Sequence, residues 1–176
     1  MIGTVFVALL AGHWIGDHWA QTDHQARTKG DPARAGKRAC AAHVGTLTLC
    51  QIVAVAMVAT YGDIRIAALN LVLGLALNAI SHYWCDRRST LEGVAFALHR
   101  IGKHDYYRSG GAPALDQAFH MLFLLLSATI ISAPTTTALI GATTATIGVL
   151  VGAGFLSKIG HDLKPQIDSC ERPSLP

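Results

Sequence analysis

The sequence predicts an all-α fold, a polytopic transmembrane helical bundle of about five spans. Three observations predict it. Apolar residues make up 51% of the 176 residues and charged residues only 14%, with a mean hydropathy of +0.38, too apolar for an ordinary water-soluble domain of this length. The apolar residues gather into five runs of roughly 20, the length that crosses a hydrocarbon core. The charged residues fall mostly between those runs.

The first run, residues 2–21, has no basic residue ahead of it and carries His13, Asp17 and His18. It therefore reads as a retained helix rather than a secretory leader. Its Gly12 and Gly16 form a small-xxx-small step, which suits close approach by another helix. The second and third runs, 40–60 and 64–86, are separated by the breaker Tyr61-Gly62-Asp63. The fourth and fifth, 115–133 and 136–157, meet at Ala133-Pro134. Residues 40–60 and the stretch Thr135 to Thr146 are rich in Ala, Thr and Gly, again suited to tight helix contacts.

Two longer polar connections remain: residues 22–39, containing Gly30-Asp31-Pro32, and residues 87–114, which accommodate an interfacial helix before Ser109-Gly110-Gly111-Ala112-Pro113. Residues 1–160 read as a single transmembrane domain. Residues 161–176 read as a short cytoplasmic tail, expected to be disordered, above all the terminal Glu171-Arg172-Pro173-Ser174-Leu175-Pro176.

The net charge of +3 and pI near 8.8 do not indicate a nucleic-acid partner, because the basic residues lie in loops and form no regular stripe. They report topology. Of the 14 Lys and Arg residues, all but Arg65 fall on one side of a five-span threading. Short cytoplasmic loops are enriched in such residues, so the N-terminus is expected outside and the C-terminus in the cytoplasm, in a multi-pass protein of an inner or plasma membrane. Trp14, Trp19, Tyr83, Trp84, Tyr106 and Tyr107 are expected to anchor the cytoplasmic interface. Cysteines 40, 50, 85 and 170 have no CxxC spacing and read as reduced packing residues.

Ionisable groups inside the spans are costly in hydrocarbon and usually face a partner or a wet cavity. The first helix carries His13 and Asp17, the third His82 and Asp86, and the fourth, in reverse order, Asp116 and His120. Each pair is spaced i, i+4, which puts both side chains on one helical face. His43 opens the second helix. Up-and-down threading brings the C-terminal ends of helices one and three to the same side as the starts of helices two and four. At 1.5 Å per residue, the seven groups lie from the cytoplasmic interface to roughly 12 Å beneath it.

Imidazole nitrogens and carboxylate oxygens together are the donor set of zinc, manganese or iron. Seven candidates, His13, Asp17, His43, His82, Asp86, Asp116 and His120, exceed one tetrahedral site. They suit two ions about 3.5–4 Å apart, or one ion with the rest as orienters and proton carriers. The same residues would also serve an ion or proton path, or a polar packing core worth on the order of 1 kcal/mol per contact. His18 and His24 read as interfacial. His99 and His104 sit among basic loop residues and are expected to face headgroups or solvent, and His161 and Asp162 are left outside the site. No nucleophile motif, phosphate-binding glycine loop or nucleotide fingerprint competes.

Four spaced elements then appear in order: His13, Asp17, Gln21 and Lys29; His43; His82 and Asp86; and Asp116, Gln117 and His120. In these the chain resembles the small bacterial and phage integral membrane proteins grouped as domain of unknown function family 3307, over most of its length through residue 120. It departs after His82, reading Tyr83-Trp84-Cys85-Asp86-Arg87-Arg88 where the family commonly has an aromatic residue and, after the aspartate, a lysine. The family brings no established activity; the resemblance implies a site. More distantly, the arrangement is similar to that of membrane-bound metal-dependent hydrolases with histidines at helix ends.

The resulting expectation is a cytoplasm-facing His/Asp site binding one or two divalent ions, in a metal-dependent hydrolase of a lipid-linked or phosphate-containing substrate. Asp17, Asp86 and Asp116 would take part in catalysis, Gln21, Lys29 and Gln117 would hold substrate or water, and the basic loops would attract anionic headgroups of membrane lipids.

Overall fold

In hydrocarbon every backbone N–H and C=O must find its partner within the protein, and a helix does this within each segment. The structure, a computed structural model that describes residues 1–171, contains helices and no strand among the described residues. Helix α1, Ile2–Ile15, runs without a break into a π turn at Gly16–Ala20, and the two together span about 28 Å at 1.5 Å per residue. Helix α2, Asp23–Thr28, starts on a capping box in which the Thr22 hydroxyl accepts from Gln25 N and Gln25 Oε1 accepts from Thr22 N. Then follow α3, Arg34–Tyr61, α4, Ala68–Asp86, α5, Ser89–Ala97, α6, Lys103–Tyr106, α7, Ala112–Ile131, and α8, Thr136–Glu171. Four stretches, Arg34–Tyr61, Ala68–Asp86, Lys103–Ile131 and Thr136–Ser169, are long and apolar enough to cross a membrane. With α1 and its π turn they make the all-α bundle of about five spans.

The boundaries differ from expectation where polar residues continue a helix. Helix α3 begins at Arg34 rather than 40, because Asp31 Oδ1 accepts from Ala33 N at 2.8 Å and the long stems of Arg34, Lys37 and Arg38 extend the helix beyond its apolar run. Helix α4 starts at Ala68 rather than 64: Asp63 takes a φ of 48° at the turn, and residues 64–67 are non-helical.

The largest correction concerns the tail. Residues 161–171, expected to be disordered, continue α8, while Arg172–Pro176 lie outside the described residues. Hydropathy ends the span near residue 157, but the helix goes on because its polar half packs along α5. Lys164 Nζ lies 2.6 Å from Glu92 Oε1, and Arg108 pairs with Asp168.

The connection 87–114 is likewise more ordered than a single interfacial helix. Leu91, Ala95 and Phe96 of α5 are buried, and a left-handed Gly102, φ 75°, turns α6 back so that His104 packs on the Phe96 ring at 5.6 Å. His104 is thus buried instead of facing headgroups or solvent. His18, His24, His161 and Asp162 are exposed.

The bundle has two halves. Val5, Ala8 and Leu9 of α1, Val55 of α3, Leu75 of α4, and Leu124, Ala128 and Ile131 of α7 form an apolar core toward the Arg65 end. At mid-depth Asn78 Nδ2 donates to Gln51 Oε1 at 2.8 Å and Gln51 Nε2 to Leu9 O at 3.3 Å. The other half gathers the ionisable residues. Gly12 and Gly16 let α1 approach α3 there, for a Cβ on Gly12 would stand 2.6 Å from Gln51 Cα and one on Gly16 2.8 Å from Leu47 Cγ.

Candidate metal centre

All seven predicted ligands come together. His13, from the end of α1, and Asp17, from the π turn, face His43 of α3, His82 and Asp86 of α4, and Asp116 and His120 of α7. The four imidazoles and Asp86 are each 3% exposed or less.

The distances among the donor atoms decide what the cluster can do. Asp17 Oδ1, His43 Nε2 and His82 Nε2 form a triangle with edges of 3.0, 3.2 and 3.7 Å. Asp86 Oδ2 makes a second triangle on the same His43–His82 edge, at 3.3 and 3.2 Å. A tetrahedral site with bonds of about 2.0–2.1 Å has edges of roughly 3.3 Å, so both triangles have the size of a face of such a site.

The remaining carboxylate oxygens are held from behind. His13 Nε2 lies 3.3 Å from Asp17 Oδ2, and Lys29 Nζ lies 2.8 Å from Asp86 Oδ1. These contacts orient the carboxylates, as outer partners of ligating groups do. His13 itself packs at ring-centroid distances of 5.2 Å from His82 and 5.0 Å from His120 and supports the triangles from the side. His120 stacks on His82 at 4.1 Å and sits 3.5 Å from Asp116 Oδ2.

Several of these approaches are not hydrogen bonds. His13 Nε2, Asp17 Oδ1, Asp86 Oδ2 and His120 Nε2 are buried without a hydrogen-bond partner among the described residues. Leaving one such atom unpaired costs about 1–3 kcal/mol, and more when it is charged. A cation held on the His43–His82 edge would satisfy Asp17 Oδ1 and Asp86 Oδ2. The groups Asp17/His43/His82, His82/Asp86/His120 and Cys85/Asp116/His120 each bring three donor atoms within 4.8 Å of one another, positioned to hold a metal ion.

Beside the cluster lies a cleft of about 420 Å³ walled by Gln21, Lys29, Asp86, Arg88, Tyr107 and Asp116 together with Ala26, Leu91, Ala112 and Pro113. Gln21 Nε2 is buried there without a partner, and Gln117 Nε2 donates to Asp116 Oδ2 at 3.4 Å. The three residues expected to hold substrate or water are thus at the cleft or one contact from it. The segment carrying Lys29 is tied to the end of α4 by two arginines. Arg87 donates to Lys29 O at 2.6 Å and also to Asp31 O, and Arg88 donates to Ala26 O at 2.7 Å. A larger groove of about 610 Å³ between α3 and α4 is lined by apolar residues with Thr48 and Tyr83, has no metal-ligating side chain and plays no part in the site.

Sequence reasoning missed three residues. Cys85 lies 3.3 Å from Asp116 Oδ1, and Arg88 and Tyr107 reach the cleft. The signal for Cys85 was its spacing: it follows His82 by three and so shares its helical face. Tyr107 was read as a belt residue; the π turn Tyr107–Gly111 ahead of α7 directs it into the cleft wall.

A protein-family model described as "Protein of unknown function (DUF3307)" matches residues 5–148, a span that contains every residue of the cluster. No curated protein and no solved structure matches the chain.

Proposed function

The chain belongs to the DUF3307 family, and we propose that it is a membrane-embedded, metal-dependent hydrolase acting on a lipid-linked or phosphate-containing substrate at the cytoplasmic face. The observation that carries this reading is the pair of donor triangles on the His43–His82 edge, sized for a tetrahedral ion and completed by two buried carboxylate oxygens that have no hydrogen-bond partner among the described residues. Asp17, His43, His82 and Asp86 would hold the ion, which is zinc, manganese or iron by donor type, with a fifth coordination position left for water. When bound, the ion would supply Lewis-acid activation of a water as the nucleophile.

The cleft supplies the rest. Lys29 and Arg88 give it positive charge for a phosphoryl group, with Gln21 and the Tyr107 hydroxyl as further donors. The water oxygen would bond to phosphorus as the ester P–O bond breaks. The proton taken from the water passes through Asp116, the carboxylate lining the cleft, to the departing oxygen. Loop Lys and Arg residues draw anionic headgroups to that surface, and their concentration on one side supports a cytoplasmic site.

The rival readings use the same residues less well. A packing core would pair every buried donor with an acceptor, whereas here His13 Nε2, Asp17 Oδ1, Asp86 Oδ2 and His120 Nε2 are left without a hydrogen-bond partner among the described residues. A proton path would use ionisable groups across the bundle, but the opposite half is built on the apolar core of Val5, Leu9, Val55, Leu75, Leu124 and Ile131, and its buried polar residues, Asn70, Ser127 and Ser132, are not ionisable.

The test is to purify the protein in detergent without a histidine tag, measure bound metal by elemental mass spectrometry, and assay phosphoesters before and after chelation. About one or two equivalents of a transition metal, with turnover lost on chelation and restored by the ion, is expected. Absence of bound metal after incubation with zinc, manganese and iron refutes the proposal.

A further inference from the structure

We infer that the centre is binuclear, with the Cys85 thiolate, Asp116 and His120 as protein ligands of a second ion. The inference rests on the reading that the Asp17/His43/His82/Asp86 set holds the first. Cys85 Sγ lies 3.3 Å from Asp116 Oδ1, and His120 Nε2 lies 3.5 Å from Asp116 Oδ2. One donor atom from each of the three residues falls within a 4.8 Å group. Bonds of about 2.3 Å to sulfur and 2.0–2.1 Å to nitrogen or oxygen give ligand separations of roughly 3.5 Å, somewhat tighter than the 4.8 Å within which one donor from each residue falls. Cys85 and His120 are buried, and His120 Nε2 has no hydrogen-bond partner among the described residues.

The two sets are joined by one carboxylate. Asp86 offers Oδ2 to the His43–His82 edge and Oδ1 toward His120, at 3.8 Å. A carboxylate shared in this way suits ions about 3.5–4 Å apart.

Charge can be balanced at the same count. Three ionised aspartates against the Lys29 ammonium leave two negative charges, which a single divalent ion neutralises. A second divalent ion leaves a surplus of two positive charges in a low-dielectric setting. The Cys85 thiolate and one hydroxide offset it, the thiol and the water each releasing a proton as the metal binds. Thiolate in the second set selects zinc or another borderline-soft ion over manganese. Asp116 ligates through one oxygen and keeps the other for the proton.

The test uses reduced, full-length protein in detergent, stripped by chelation and loaded with cobalt(II), read by elemental ratio and by the near-ultraviolet sulfur-to-cobalt charge-transfer band. About two cobalt ions per chain and a clear band are expected. Cys85→Ser should keep about one ion and lose the band, with a parent-like circular dichroism spectrum. Because Cys85 is buried, a second protein avoids touching it: the triple variant Cys40→Ser, Cys50→Ser, Cys170→Ser leaves Cys85 as the sole thiol and should retain the band. One bound cobalt without a band, or a band lost in the triple variant, overturns the second site and leaves the first standing. No bound cobalt overturns both.

Discussion

Gly12→Ala should disable the centre without touching a ligand. The added Cβ would stand 2.6 Å from Gln51 Cα, 2.8 Å from Gln51 N and 2.9 Å from Cys50 O. These are backbone atoms of α3 and cannot rotate away. Carbon atoms pack at about 3.5–4.0 Å, so α1 must retreat from α3 by roughly 1 Å. His13 and Asp17 travel with α1, whereas His43 stays with α3, so the 3.0 Å edge between Asp17 Oδ1 and His43 Nε2 stretches to about 4 Å. Functional constellations tolerate only about 0.5 Å of such error. Metal affinity should fall on the order of 10- to 100-fold, the range seen when the support of a ligand is lost, and overpacking should cost about 1–3 kcal/mol of stability. Gly45→Ala is the matched control, since a Cβ there meets nothing within 4 Å, and replacing a helical glycine gains roughly 0.5–1 kcal/mol. Competition titration against a metal indicator, with thermal unfolding in the same detergent, reads both quantities. A Gly12→Ala protein with parent affinity and parent melting temperature would refute the argument that this helix contact sets the site.

Three further outcomes are expected. His82→Ala removes one of the two corners common to both triangles and should cut first-site occupancy by more than tenfold in elemental analysis, while circular dichroism stays helical. Lys29→Met leaves Asp86 buried without its ammonium, so the metal-free protein should lose roughly 3–5 kcal/mol and regain an unusually large part of it when a divalent ion is added; a thermal shift equal to the parent's with and without metal would contradict the pairing. In a variant lacking native cysteines, Asp63→Cys should react with a membrane-impermeant thiol reagent from outside intact cells and Arg100→Cys only after the membrane is opened; the reverse pattern would invert the proposed orientation.

The legible part of the fold was the part that hydrocarbon dictates. Five apolar runs gave five long helices, and the i, i+4 spacing of three His/Asp pairs, with alternate threading, sufficed to collect seven side chains from four helices. What composition could not convey was helix that persists for other reasons. Residues 161–171 looked like a loose tail because hydropathy falls there, yet pairs such as Lys164 with Glu92 join them to α5, a contact between segments far apart in sequence. His104 was misplaced for a similar reason: only the left-handed turn at Gly102 reveals that it folds inward. In the site, helical spacing could show which residues share a face but not which atom of a carboxylate meets which ring. Cys85 was passed over because cysteine was sought in CxxC pairs, when its position three residues after His82 was the relevant spacing.

The division of the bundle into an apolar and a polar half bears on how the site is reached. A polar centre in a membrane protein must be connected to water from at least one side, since its ions and protons arrive through it. Toward the Arg65 end the connection is closed by Val5, Leu9 and Val55, all nearly inaccessible; the Gln51–Asn78 pair satisfies itself against Leu9 O, and the buried polar residues beyond it, Asn70, Ser127 and Ser132, are not ionisable. Toward the other end the carboxylates Asp86 and Asp116 form part of the cleft wall beside Lys29 and Arg88. Exchange with water through this end alone is what a hydrolytic centre at headgroup depth requires, and what a conduit across the membrane cannot use. In the proposed orientation the loops that carry Lys29 and Arg88 also carry most of the protein's positive charge. The electrostatic attraction of an anionic headgroup and the entrance to the metal centre then coincide on one surface.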